Sequence, residues 1–255
     1  MGQELSCVGA RIFISGASGA LGRELAMRLA GPGVRLSLWG RNPVHLGEVA
    51  SACRSRGAEA ETRSLDLAGL DAAVAALAEE DAAAPFDCAF LVAGQGDTLP
   101  CGAVVEPPEQ VIRLSQTNFT APATLAAMLA ERMAERGRGR IALVGTAAAS
   151  HSLPFAATYS GSKAGLARYA DALRLAVRDR GVSVTLVSPG FFAGGPTHAR
   201  PGEIPAGRVA DKMIAAVLAG RAELVVPRRF LLLRWLDRLL PRPVRDRVLL
   251  SLRLP

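Results

Sequence analysis

The chain has 255 residues, which fits one large domain, and half of them are hydrophobic, so a substantial core can be buried. The net charge of +7 is uneven, because residues 228–255 hold eight Arg against two Asp. The nearly neutral body argues against a nucleic-acid-binding surface. No apolar run reaches the roughly 18 residues that span a bilayer. The four cysteines form no CxxC pair and the three histidines are isolated, so we expect reduced thiols, a cytoplasmic protein and no metal site.

Short apolar or β-branched runs alternate along the chain with longer stretches rich in Ala and Leu. The short runs predict six strands, at residues 11–15, 34–39, 59–65, 88–92, 140–144 and 182–187. The longer stretches predict helices at residues 21–30, 44–56, 71–80, 107–136 and 159–180. Residues 191–208 are rich in Gly and Pro and predict a loop. Strands that alternate with helices predict an α/β fold, a doubly wound parallel sheet flanked by helices.

A glycine-rich turn follows the first predicted strand and opens the first predicted helix. It reads S-G-A-S-G-A-L-G over residues 15–22. Glycines there permit a tight turn and a close approach of the backbone to a pyrophosphate, which binds at the positive end of the helix. The alternative is a turn that only packs the helix closely against the strand. The candidate phosphate-binding residues are Gly16, Ser18, Gly19, Ala20, Leu21 and Gly22.

Arg41 lies just after the second predicted strand, 25 positions beyond Gly16. An acidic residue there would hydrogen-bond the 2′-hydroxyl of NAD, whereas an Arg accommodates the 2′-phosphate of NADP. We therefore predict NADP(H) as the preferred cofactor. NAD(H) is the alternative, if Arg41 is an ordinary surface residue of this Arg-rich chain.

Tyr159 and Lys163 are a pair of scarce residues. The chain has two tyrosines and two lysines against 28 arginines, and one of each falls in Y-S-G-S-K over residues 159–163. Four positions apart, the two side chains share one face of a helix. The ammonium is expected to lower the pKa of the Tyr159 phenol by stabilising the phenolate. A phenol tuned in this way is a competent general acid/base.

These features resemble the short-chain dehydrogenase/reductase family from about residue 9 to residue 225. Gly16 and Gly22 match the first and last glycines of the family's TGxxxGxG turn, and Ala20 replaces the middle one. Tyr159 and Lys163 match its YxxxK motif. The resemblance implies a single Rossmann-type domain and an oxidoreductase that uses NAD(H) or NADP(H).

The resemblance also implies further cofactor contacts, beside the adenine and near the nicotinamide. The two Asn that the family places before Ala93 are absent here, which removes hydrogen bonds within the sheet. Thr197 lies three residues later than the family's Thr, so the loop is expected to take a different path. The contacts implied in this way are Asp66, Leu67, Ala93, Gly94, Pro189, Gly190 and Phe192.

Four residues match the family's catalytic positions. Asn118 is implied to support a proton-relay water, and Thr146 occupies the position of the catalytic Ser, with a stiffer χ1 because it is β-branched. Tyr159 would donate the proton to the carbonyl oxygen, while Lys163 would lower its pKa and bind the nicotinamide ribose. The substrate pocket is expected to include His151, Phe155 and Phe191.

The C-terminal end differs in composition from the rest, and we divide the chain into a catalytic domain, residues 1–226, and a basic amphipathic extension, residues 227–255. Phe230, Leu233, Leu236 and Leu240 recur near helical spacing with arginines between them, and residues 244–252 predict a second short helix. This composition is typical of a membrane-surface element. Packing on the body or on a partner subunit, and an unstructured tail, are the alternatives.

The sequence therefore predicts an NADP(H)-dependent oxidoreductase that interconverts a ketone and a secondary alcohol. The apolar, basic extension favours a lipophilic substrate, such as a 3-oxoacyl chain, a keto-sphingoid or a steroid-like ketone. A non-catalytic cofactor-sensing regulator, or a membrane-associated regulatory protein on the same fold, is the alternative. The resemblance also implies a homo-oligomer, and the extension implies a cytoplasmic protein peripheral to the membrane.

Overall fold

A seven-stranded parallel sheet lies at the centre of the protein in its computed structural model, which describes residues 9–190, 192–193, 203–231 and 239–251. The strand order is β3-β2-β1-β4-β5-β6-β9, and each neighbouring pair is parallel. The sheet strands are β1 Arg11–Ser15, β2 Arg35–Gly40, β3 Glu59–Ser64, β4 Cys88–Leu91, β5 Gly139–Val144, β6 Val182–Pro189 and β9 Glu223–Val226. The two-residue strands β7 Phe192–Ala193 and β8 Ile204–Pro205 pair with each other in a separate parallel sheet.

Helices cover both faces of the sheet. They are α1 Ala20–Leu29, α2 Pro43–Arg54, α3 Leu70–Ala83, α4 Pro108–Ser115, α5 Ala121–Glu135, α6 Ala157–Ala176, α7 Ala206–Leu218 and α8 Arg242–Ser251. Successive strand side chains point to opposite faces. Ile12 and Ile14 therefore join a core with α1, α2 and α7, whereas Phe13 joins a core with α3, α5 and α6. This arrangement confirms the doubly wound parallel fold.

The strand order reverses between β1 and β4, where the chain crosses from one half of the sheet to the other. At this point the connections leave in opposite directions and open a crevice beyond the carboxyl ends of the strands. Ser15, the last residue of β1, holds the two strand ends together: its hydroxyl accepts hydrogen bonds from the amides of Val92 (3.1 Å) and Ala93 (3.3 Å). The crevice is where this fold binds its ligands.

All six predicted strands are present, each to within two residues of the predicted bounds. The sequence pattern missed β9 and α7. The predicted loop at residues 191–208 is wrong in part, because Phe192–Ala193 and Ile204–Pro205 are short strands and α7 begins at Ala206. The predicted helical stretch at residues 107–136 consists of α4 and α5 joined by a π-helical turn, Gln116–Thr120. Such turns are frequent at functional sites.

The described part of the C-terminal extension contains one helical turn at residues 229–231 and the helix α8. Leu233 and Leu236 lie outside the described residues. Leu249 of α8 is buried, whereas Val244 and Val248 are exposed. Within the described ranges, no helix is both long and apolar enough to cross a bilayer.

Candidate active site

A cavity of about 240 Å³ lies in the crevice at the carboxyl edge of the sheet. It brings together eleven of the predicted cofactor residues: Gly16, Ser18, Gly19, Ala20, Leu21, Gly22, Arg41, Asp66, Leu67, Ala93 and Gly94. The sequence did not single out the other lining residues, which are Trp39, Gly40, Leu65, Val92, Gln95, Thr117 and Val144. The set follows from the topology, since every lining residue except Thr117, which lies in the π-helical turn, is at or beyond the end of a strand or at the start of a helix.

Glycines set the shape of the turn between β1 and α1. Gly16 has φ +72°, and a Cβ there would lie 2.8 Å from the backbone of Ala93, so only glycine fits. A Cβ on Gly22 would collide with the carbonyl oxygen of Gly16. This close packing allows α1 to start directly against the strand end.

The N-terminus of α1 is open towards the cavity. Its N-cap residue, Gly19, makes no side-chain capping hydrogen bond, and the first turn contains no acidic residue. The N–H groups of that turn are therefore available to donate hydrogen bonds to an anion, and the positive end of the helix dipole attracts the anion as well. A pyrophosphate fits this site chemically.

The end of β2 presents a cation to the same cavity. Asn42 is engaged as the N-cap of α2, where its side chain accepts hydrogen bonds from the amides of Val44 (3.0 Å) and His45 (3.2 Å). Arg41 is exposed, and no hydrogen bond or ion pair engages its guanidinium within the described part of the chain. Ser18 packs closely on Gly40, because a Cβ on Gly40 would lie 2.6 Å from its hydroxyl. No carboxylate occupies this strand end, and the residues suit a phosphate.

Asp66 lies across the cavity, beyond the end of β3. Its carboxylate accepts a hydrogen bond from the amide of Ala68 (3.0 Å) and is exposed. This local turn fixes the side chain beside Leu67, which is buried. The position suits a contact with the adenine end of a dinucleotide.

Asn118 is fully buried in the π-helical turn. Its side chain forms two hydrogen bonds with the backbone of Gln95, accepting from the amide and donating to the carbonyl, each at 2.8 Å. Asn118 therefore fixes the segment that follows β4. A Cβ on Gly94 would lie 3.1 Å from Asn118 Oδ1 and 3.2 Å from Lys163 Nζ, so both side chains converge on the backbone of Gly94.

Lys163 is buried on α6, with 4% of its surface exposed, and its Nζ donates a hydrogen bond to the carbonyl of Val144 (2.8 Å). Burial disfavours the ammonium and lowers the pKa of Lys163 to about 8. A lysine with this pKa gains and loses protons near neutral pH.

Tyr159 is half-buried at the start of α6. Burial raises the pKa of its phenol, while a hydrogen bond with Thr146 acts in the lowering direction. The net direction is therefore opposite to the lowered pKa expected for Tyr159, because loss of hydration outweighs the neighbouring groups. The Thr146 hydroxyl lies 3.5 Å from the carbonyl oxygen of Pro189, at the end of β6.

The remaining predicted residues lie near this cluster or outside the described residues. Pro189 ends β6 and Gly190 follows it, and the amide of Gly190 donates to the carbonyl of Val226 (2.7 Å). His151 and Phe155 are half-buried before α6, and they line neither the cavity at the carboxyl edge of the sheet nor the larger one beside α6. Phe191, Thr197 and His198 lie outside the described residues, as does the side chain of Phe192. In the described part, no group of three or more His, Cys, Asp or Glu is placed to hold a metal ion.

Glu106 is a residue beside the cluster that the sequence gave no reason to select. It precedes α4, and its carboxylate accepts hydrogen bonds from the amide (2.9 Å) and the hydroxyl of Thr158, the neighbour of Tyr159. No local motif marks such a contact, because Glu106 and Thr158 are 52 positions apart. Glu106 thus ties the segment after β4 to the first turn of α6.

Comparison with known proteins agrees with this geometry. The family model for short chain dehydrogenase matches residues 10–201. An uncharacterized oxidoreductase of Myxococcus xanthus is 32% identical over 92% of this chain and 94% of its own. A very-long-chain 3-oxoacyl-CoA reductase of Mycosarcoma maydis is 28% identical over 70% of this chain and 52% of its own. A short-chain dehydrogenase from Sphingobium yanoikuyae, solved in complex with NADPH, has a TM-score of 0.79 at 24% identity and 96% coverage of both chains. The chain therefore belongs to the short-chain dehydrogenase family of oxidoreductases, which use a nicotinamide cofactor and small-molecule substrates.

Proposed function

We propose that this protein is an NADP(H)-dependent oxidoreductase that interconverts a ketone and a secondary alcohol, with Tyr159 as the general acid/base. The observation that carries the proposal is the convergence of Asn118, Lys163, Tyr159 and Thr146 beside the open N-terminus of α1. Proton-transfer groups and an anion site at one edge of the sheet suit a reaction between a carbonyl and a dinucleotide.

The cofactor is proposed to bind with its pyrophosphate at residues 16–22 and its adenine end beside Asp66 and Leu67. The uncommitted guanidinium of Arg41 and the absence of a carboxylate at the end of β2 support NADP(H) over NAD(H). Pro189, Gly190 and the backbone of Phe192 are proposed as contacts of the nicotinamide end. When bound, the cofactor supplies or accepts the hydride.

The protein's own residues are proposed to handle the proton. Because burial raises the pKa of Tyr159, its phenol is protonated at neutral pH and can donate to a carbonyl oxygen. Thr146, hydrogen-bonded to Tyr159, is placed to donate to the same oxygen as negative charge develops. Lys163, with a pKa of about 8, is suited to resupply the proton, and Asn118 holds the backbone beside it.

The substrate is proposed to be lipophilic, with a 3-oxoacyl chain as the leading candidate. The similarity to a 3-oxoacyl-CoA reductase supports this choice. His151, Phe155 and Phe191 are proposed as residues of the substrate pocket.

A homo-oligomer is also proposed, and light scattering of the purified protein tests it.

The C-terminal extension, residues 227–255, is proposed to touch the membrane surface, with the rest of the protein in the cytoplasm. On α8, Val244, Val248 and Leu250 are exposed beside Arg242 and Arg247. Exposed apolar side chains flanked by arginines suit the interface of an anionic membrane.

The test of the proposed function is the variant Tyr159→Phe. We expect ketone-dependent oxidation of NADPH to fall by at least about a hundredfold, since general acid catalysis is lost. NADPH binding, followed by calorimetric titration, should be retained. Tyr169→Phe is the matched control, because it removes a hydroxyl that donates a hydrogen bond to the carbonyl of Ala123 (2.9 Å) and keeps the ring that packs on Phe119. Full activity of Tyr159→Phe would contradict the proposal.

A further inference from the structure

A second cavity, of about 390 Å³, lies on the face of the sheet that carries α6. Thr146 lines it at the carboxyl edge of the sheet, and Asp171 of α6 and Glu223 of β9 line it further down. Along α6, the lining residues from Ala164 to Asp171 span about 10 Å. This volume is in the range of small-molecule sites and exceeds that of an ordinary packing defect.

Small side chains account for the volume. Ala164 and Ala167 of α6 face the cavity, and Ala147, Ala149 and Ala222 complete this set of lining alanines. Larger apolar residues at these positions would fill the space between α6 and the strands, as side chains do in a close-packed core. Apart from Ser188, the walls between the two ends are therefore apolar and give an alkyl group room.

The first turn of the C-terminal extension forms another wall. Phe230 and Leu231 line the cavity. The Phe230 ring lies directly on Gly190, where any Cβ would collide with it. The amides of Phe230 and Leu231 donate to the carbonyls of Pro227 (3.2 Å) and Arg228 (3.0 Å), which hold the turn in place. The end of β6 thus fixes the position of the extension's first residues.

We infer that this cavity binds the apolar arm of a ketone substrate, and that Phe230 and Leu231 decide which arm lengths fit. The inference rests on the proposed function, because it places the carbonyl at Thr146, which is hydrogen-bonded to Tyr159 and lines the cavity. The far end is lined by Arg168, Asp171 and Glu223. Burying alkyl groups against charged side chains is unfavourable, so the apolar arm must end within about 10 Å. A 3-oxoacyl chain of medium length fits this description.

The test compares Ala167→Phe, which fills the cavity from α6, with Ala172→Phe, placed on the exposed side of the same helix. The rates are measured with NADPH and thioesters of 3-oxobutanoate and 3-oxodecanoate. We expect the ratio of kcat/KM for the long over the short thioester to fall by about tenfold or more in Ala167→Phe. Ala172→Phe should keep the wild-type ratio. An unchanged ratio in a folded Ala167→Phe protein would overturn the inference.

A binding measurement that needs no turnover separates this inference from the proposed function. The probe is 1-anilinonaphthalene-8-sulfonate, with the saturating oxidised cofactor present and decan-2-one as the competitor. Wild type and Ala172→Phe should show fluorescence that decan-2-one displaces, and Ala167→Phe should lose it. Equal displaceable fluorescence in all three proteins contradicts the cavity assignment. Loss in Ala167→Phe alone supports the cavity even if no ketone is reduced, in which case only the proposed function fails.

Leu231→Trp provides a second route if Ala167→Phe does not fold. Leu231 is 39% exposed, so a larger side chain there can be accommodated while it narrows the cavity from the extension. The same fall in the ratio of long to short substrate is expected. Phe230→Ala should widen the cavity and raise the ratio. If neither Leu231→Trp nor Phe230→Ala alters the ratio of kcat/KM for the long over the short thioester, Phe230 and Leu231 do not select the length of the apolar arm.

Discussion

The burial of Lys163 makes the free energy of unfolding of the whole protein depend on pH. Its pKa is about 8 when folded and near 10.5 when unfolded. Below pH 8 both states hold the proton, and the cost of burying the ammonium is fully present. Between about pH 8 and 10.5 the unfolded state binds more protons, so stability rises with pH.

The variant Lys163→Met measures this contribution. We expect the free energy of unfolding of wild type to rise by about 3 kcal/mol relative to Lys163→Met as the pH increases through this window. Urea titrations at several pH values give the difference, in which the contribution of Tyr159 cancels. Lys212→Met, at the exposed second lysine, should follow the wild-type curve. Parallel curves for wild type and Lys163→Met would show that burial does not disfavour the ammonium.

Arg41 is expected to select the cofactor, because its guanidinium faces the cavity without an ion-pair partner in the described ranges. Arg41→Ala should weaken NADPH binding by about tenfold to a hundredfold, the effect of losing a hydrogen bond to a charged group. The affinity for NADH should remain close to that of wild type, and calorimetric titration measures both. Arg35→Ala, at the exposed start of β2, is the control. An equal loss for both cofactors would identify Arg41 as an ordinary surface residue.

At the scale of elements, the contact between Glu106 and Thr158 joins the segment before α4 to the first turn of α6. Glu106→Ala should free this turn, so exchange of the Thr158 and Tyr159 amides should accelerate by about tenfold, as expected for loss of a charge-assisted hydrogen bond. Exchange in the middle of α6 should stay unchanged. Hydrogen-exchange mass spectrometry tests this, together with a reduced kcat at unchanged NADPH affinity.

Glu109→Ala is the control for this contact, since Glu109 is exposed on α4 and has no partner among the described residues. If both variants exchange like wild type, Glu106 does not hold the helix. A uniform acceleration along the whole of α6 would mean that Glu106 supports overall stability rather than the position of Tyr159.

The elements show where sequence patterns succeed. Strands β1, β2, β4, β5 and β6 were predictable because they are rich in apolar or β-branched residues, whereas the edge strand β3, E-A-E-T-R-S, is mostly polar. The edge strand β9 has only four residues and was missed. Helix α7 was missed although its buried residues recur at helical spacing, because its first turn falls in the stretch rich in Gly and Pro that predicted a loop. The π-helical turn around Asn118 has no residue pattern of its own. Asn118 in this turn contacts Gln95, and only the folded chain brings these two residues together.

At the scale of the whole molecule, the sequence located the cofactor cavity because parallel topology gathers strand ends at one edge. It could not predict how strongly burial shifts the pKa values of the side chains inside the site. Burial of Tyr159 and Lys163 moves their pKa values in directions that spacing alone does not predict. The second cavity was equally hidden, since it depends on alanines of α6 meeting Phe230 and Leu231, which are more than 60 positions away.

The uneven charge of the molecule leads to a prediction about its surroundings. Most of the net charge lies in residues 228–255, and α8 exposes Val244 and Val248 next to arginines. The protein should sediment with vesicles that contain phosphatidylserine, and added salt should release it, since each arginine near the surface contributes about 1 kcal/mol. The double variant Val244→Glu with Val248→Glu should weaken this binding by at least about tenfold, because it adds negative charge and removes apolar contact.

Val104→Glu is the matched control for the vesicle experiment, because Val104 is 91% exposed and lies before α4, far along the chain from the extension. It changes the net charge in the same direction as each α8 substitution. If binding depends on overall charge alone, Val104→Glu will weaken it about as much as Val244→Glu does singly. If the extension inserts its apolar face, only the α8 variants will lose binding. Equal binding to neutral and anionic vesicles would contradict the role of the arginines. Binding to neither would contradict the membrane role and leave packing on the protein body as the role of the extension.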